Sequence, residues 1–141
     1  MKKLTILFFC VATLSLASCK KQTVLQPTTT TPNRTIIAYI NQADWQKDTT
    51  DGRTIFSILN ISDVLDGPTF EDDGFLVYIS RTDNDTYEQI PNVYGLNSYS
   101  YVIDKTNKTL EIDLQRSNSA TYPDYPTGKT RVKIVLVRSQ Q

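Results

Sequence analysis

Two runs of carboxylates are the side chains best placed to do chemistry: Glu71-Asp72-Asp73, and Asp83 and Asp85 on either side of Asn84. Either run could offer oxygen ligands to calcium, which accepts carboxylates and carbonyls from a loop, but the EF-hand spacing is absent. The alternative is a pair of solvated turns, for which Asp, Asn and Gly supply the backbone geometry. Glycoside hydrolysis would need two carboxylates facing across a cleft, one of them with a raised pKa. An acidic β-rich chain contains such pairs by chance. There is no histidine, and Cys10 and Cys19 are the only cysteines. Ser-His-Asp and Cys-His catalysis fall with those counts, as do zinc sites built from His and Cys. Neither a G-x-x-x-x-G-K-[ST] nor a G-x-G-x-x-G loop is present. No catalytic residue, metal or cofactor is expected, and a carboxylate-dependent hydrolase is the least favoured function.

Aromatic side chains are the better candidates for binding. Trp45 lies in a polar stretch, and Tyr122-Pro123-Asp124-Tyr125-Pro126 places two tyrosines in a proline-stiffened loop. Flat rings held outward by proline could stack on sugar faces or on a protein partner. Trp45, Tyr122 and Tyr125 are therefore the candidate ligand-binding residues. The alternative is that Trp45 and one tyrosine close an open end of the domain.

The N-terminus concerns location. Met1-Lys2-Lys3 is a short cationic start, and Leu4 to Leu16 is a largely apolar run. That run, about thirteen residues, is shorter than the roughly twenty a membrane-spanning helix needs, so it reads as a cleaved signal. Leu16-Ala17-Ser18-Cys19 resembles the lipobox of bacterial lipoproteins, in which small residues precede the lipid-modified cysteine. The resemblance implies diacylglycerol on the Cys19 sulfur, cleavage before Cys19, and usually acylation of the new amino terminus. Two or more acyl chains hold a protein stably at a membrane surface. Lys20-Lys21-Gln22 follows, with neither an aspartate nor an acidic cluster. By the sorting patterns of such lipoproteins, this favours the periplasmic face of the outer membrane over the cell surface. From Gln22 to Arg34 the chain is rich in Thr and Pro and lacks apolar periodicity, the composition of an extended tether of up to ~40 Å.

Residues 35–141 are expected to form one all-β domain, an antiparallel sandwich of about seven strands with one short helical turn. Candidate strands are Thr35 to Ile40, Thr54 to Ile61, Phe75 to Arg81, Glu88 to Tyr94, a stretch carrying Tyr99, Tyr101 and Ile103, a stretch carrying Leu110, Ile112 and Leu114, and Thr130 to Arg138. Alternation sets Glu111 and Asp113 opposite the leucines and isoleucine, and Arg131 and Lys133 opposite Val132, Ile134 and Leu136. Ser62 to Leu65 is the expected helical turn, with Gly67-Pro68 ending it, and Glu71 to Gly74 is an expected turn. In the loop Lys105 to Lys108, Asn107 is the candidate for a left-handed conformation. With no cysteine after Cys19, this domain can hold no internal disulfide.

Gly74-Phe75-Leu76-Val77-Tyr78-Ile79, then Ile90-Pro91 and Tyr94, then Tyr99-Ser100-Tyr101, is similar to a pattern in uncharacterised small lipoproteins of Bacteroidetes-type bacteria, which also carry an early-loop Trp (here Trp45). The resemblance spans most of the chain from Arg34 and implies the β-domain but no activity. Asp48-Thr49-Thr50 looks like the D-[ST]-x acceptor of O-glycosylation in such bacteria, making Thr49 the candidate acceptor. The expected whole is an envelope lipoprotein with a non-catalytic binding or assembly domain, its partners being the membrane and an envelope protein or glycan. Carbohydrate binding is the second reading. The net charge is zero before signal removal and slightly acidic after it, which gives no field for a nucleic-acid backbone.

Overall fold

The structure, a computed structural model, describes residues 32–83 and 86–139. Within them two antiparallel sheets face each other across one core. The four-stranded sheet runs β1 (Arg34–Ile40), β9 (Thr130–Val137), β4 (Gly74–Ser80), β5 (Glu88–Ile90). The five-stranded sheet runs β2 (Gln46–Lys47), β3 (Thr54–Asn60), β8 (Thr109–Arg116), β7 (Asn97–Asp104), β6 (Asn92–Tyr94). The sandwich is as expected, with two more strands among the described residues than the seven read from the sequence. One is the two-residue β2. The other arises because Glu88 to Tyr94 is not one strand but two, which lie in different sheets. Pro91 has no N–H to give a ladder, so pairing stops there and the chain crosses from β5 to β6. The Ile90–Pro91 bond is cis.

Side-chain alternation fills the space between the sheets. Val77 and Ile79 of β4 and Val132, Ile134 and Leu136 of β9 are buried against Ile55 of β3 and Leu110, Ile112 and Leu114 of β8. Each is β-branched or leucine, apolar and on the inward phase of a period-two strand, which is why these segments pair as they do. The Tyr101 hydroxyl on β7 donates to the Phe75 carbonyl on β4 at 3.2 Å, tying one sheet to the other.

Four local expectations are corrected. Residues 62–64 form a single turn, closed by the Leu65 N–H donating to the Ile61 carbonyl at 3.0 Å, but the helix α1 (Gly67–Asp72) begins where that turn was expected to end. Pro68 fits the first helical turn because its missing N–H would have no partner there. The Asp66 carboxylate caps the helix, accepting from the Thr69 N–H at 2.7 Å, and that bond holds Asp66 below the usual carboxylate range. Glu71 and Asp72 therefore lie in α1 rather than in a turn, and Asp73 closes it. In the β7–β8 hairpin it is Lys108, not Asn107, that takes a positive φ (55°), because the Asp104 carboxylate accepts from the Thr106 and Asn107 N–H groups and keeps Asn107 within the turn, so the left-handed step falls on the residue after it. β1 starts at Arg34, inside the stretch read as tether.

Candidate functional site

The sequence-derived candidates do not converge. Trp45 is only 4% exposed and belongs to the core cluster, so its ring is not offered to an outside ligand. The polar neighbours Asp44 and Gln46 point outward while the indole turns in. Tyr122 packs partly against the same core, with Lys47 Nζ 4.9 Å from its ring. Its hydroxyl donates to the Asp48 carbonyl at 2.8 Å. Both rings therefore pack on the core rather than standing out toward a ligand. Tyr125 alone of the three is exposed, on a loop held by Arg116, which donates to the Tyr122 carbonyl and pairs with Asp124 at 2.9 Å. Thr49 is exposed in the loop between β2 and β3. Cys19, the signal and the tether up to residue 31 lie outside the described residues.

The carboxylate runs are answered by cations. Lys105 pairs with Glu71 at 2.7 Å, Arg138 with Asp73 at 2.5 Å and Arg131 with Asp83 at 3.4 Å. No group of three metal-ligating side chains gathers among the described residues. Asn84 and Asp85 lie outside the described residues.

What the fold does assemble is found on the outer faces of its sheets. On the four-stranded sheet, Lys133 of β9 lies between Ile37 of β1 and Tyr78 of β4. Its ammonium sits 4.7 Å from the Tyr78 ring and 4.2 Å from that of Tyr87. Arg131 stands 4.9 Å from Tyr87, and Lys129 5.0 Å from Tyr39. Rings this close attract the cations through their negative faces. Around the cations, Ile37 (46% exposed), Tyr39 (47%), Leu76 and Val137 face solvent. The sequence announced Arg131 and Lys133 as outward, but only strand pairing places aromatic rings beside them.

The five-stranded sheet has an outer face of the opposite sign. Glu111 of β8 lies between Ile58 of β3 and Val102 of β7, and Asp113 lies between Phe56 and Ser100. The two carboxyls share a hydrogen bond, and both pKa values are pushed up: Glu111 by burial and then by the Asp113 charge, Asp113 by burial with Asp48 and Asp51 adding repulsion. Two touching carboxyls on one strand do not flank a cleft, so they lack the facing arrangement that glycoside hydrolysis requires. They do make a pH signature. A raised folded pKa means that the pair's contribution to stability is whole below the ordinary carboxyl range, about pH 4, and is lost as pH rises through the raised value. Asp113→Asn is therefore expected to raise the melting temperature at pH 7 and to change it little near pH 4. Asp51, Asp66, Asp104 and Glu88 have lowered pKa values and act oppositely, losing stability on acidification. The variant-minus-parent difference across pH isolates the pair.

A third feature is a cleft of about 370 Å³ beside the β5–β6 crossing, lined by Ile79, Arg81, Thr82, Thr86, Glu88 and Tyr94. Arg81 forms a two-pronged pair with Glu88 and stacks 3.6 Å from the Tyr94 ring centre. The bond from Arg81 holds the Glu88 carboxyl below its ordinary range. No protein-family model, curated protein or solved structure matches this chain.

Proposed function

We propose that the chain is a non-catalytic binding or assembly module of the bacterial envelope, held at the outer membrane by lipid on Cys19. The observation that supports it best is the outer face of the four-stranded sheet. Apolar side chains there stay exposed around a row of ring-backed cations, a composition suited to contact rather than to chemistry. The lipobox-like Leu16-Ala17-Ser18-Cys19 supplies the anchor, and residues 20–33 the spacing. Labelled palmitate is expected on the protein in its own cells and absent from Cys19→Ser, which should move from the membrane to the soluble fraction. Unlabelled parent protein would overturn the anchor.

A carbohydrate-binding role is the second reading, and the cleft at Tyr94 favours it over the loop tyrosines. An exposed ring beside Thr82, Thr86 and Glu88 offers stacking and hydrogen bonds to one sugar. Retention on immobilised cell-wall and host polysaccharides, lost in Tyr94→Ala, is the expected sign. A parent protein that passes through every such column removes this reading.

A further inference from the structure

The two outer faces are complementary to each other, and their complementarity is set by strand register. Among the described residues, the outward strand positions of the four-stranded sheet carry cations and no carboxylate, whereas those of the five-stranded sheet carry carboxylates and no cation. The central rows match residue for residue. One reads Ile37, Lys133, Tyr78 across β1, β9 and β4, and the other reads Ile58, Glu111, Val102 across β3, β8 and β7. Each is a charge flanked by two apolar side chains. Neighbouring strands are spaced about 4.8 Å apart in any sheet, so two aligned faces would bring these rows into step.

We propose that copies of this chain stack head to tail, the four-stranded face of one seated on the five-stranded face of the next, with Lys133 against Glu111 and Asp113. A two-fold dimer through either face is disfavoured because like charges would meet. The contact is therefore heterologous, and with the two faces on opposite sides of a sandwich it does not close into a ring but continues as a linear stack. The exposed flanks support it: Ile58 (51%) and Val102 (55%) face solvent on one side, as Ile37 does on the other. Burying ions normally costs desolvation, but the carboxyl pair is already partly stripped of water in the isolated domain, so an arriving ammonium restores what it lacks. A face of three or four short strands gives an interface at the small end of the specific range, so the stack is concentration-dependent. This deepens the assembly reading by naming the partner as a second copy, and it does not depend on the lipid.

Sedimentation velocity of the full chain in mild non-ionic detergent, over a rising concentration series, tests it. The parent is expected to form a ladder of multimers. Lys133→Glu and Glu111→Lys are each expected to remain monomeric, since each sets like charges against each other at the central row of the contact. An equimolar mixture of the two is expected to re-form alternating stacks, which a folding defect in either variant could not produce. Unchanged association in the single variants, or a mixture that stays monomeric, overturns the proposal. A parent that is monomeric throughout but still carries palmitate on Cys19 overturns the stack and leaves the tethered binding module standing.

Discussion

Trp45→Ala is expected to remove about 3–5 kcal/mol of stability, the range for emptying a buried indole site. The ring belongs to the same buried core as Ile55 and Leu114, and its place cannot be refilled from the short β2 strand beside it. Trp45→Phe should cost far less, about 1 kcal/mol, because the lost indole N–H has no hydrogen-bond partner among the described residues. Denaturant melts of the three proteins measure both differences. A Trp45→Ala variant as stable as its parent would mean that the ring is not core and would return it to the list of binding residues.

Arg138→Ala should be nearly as damaging, at about 3 kcal/mol. The Asp73 side chain is 6% exposed and paired with Arg138, which also donates to the Thr69 hydroxyl at 3.0 Å. Removing the guanidinium leaves a buried carboxylate with only the Ser139 N–H as a close partner, and uncompensated buried charge is what makes broken ion pairs expensive. The figure sits at the low end of that range because Arg138 is itself partly exposed. The double variant Asp73→Asn/Arg138→Ala should recover part of the loss, since it removes the stranded charge. If Arg138→Ala melts within about 0.5 kcal/mol of the parent, the pair has no structural weight.

The two-residue alternation was enough to read the inward faces of β7, β8 and β9. Leu110, Ile112 and Leu114 are buried as expected, as are Val132, Ile134 and Leu136. The helix escaped because Gly-Pro is ambiguous from sequence: proline ends one helix and starts another, and the deciding bond, Asp66 to Thr69, is visible only once the chain is folded. Trp45 stayed open between a binding and a burial reading because its immediate neighbours are polar and report the loop, while burial is set by strands far away in sequence. The two charged faces were half legible. Glu111, Asp113, Arg131 and Lys133 were placed outward from the pattern alone, but their apolar and aromatic companions come from other strands. Register is a property of pairing, and no single segment contains it.

The chain enters the domain at Arg34, whose edge strand pairs with β9 alone among the described strands, from Arg34 opposite Leu136 to Ile40 opposite Thr130. Asn33 fastens this entry by accepting from the Arg138 N–H at 3.1 Å. Any tension arriving from the N-terminal side must pass through that seam first. Pulled along the strand, the seam is sheared and its cross-links resist together; pulled sideways, it peels from the Arg34 end one link at a time. The domain is thus mechanically anisotropic, tough in one direction of load and weak in the other.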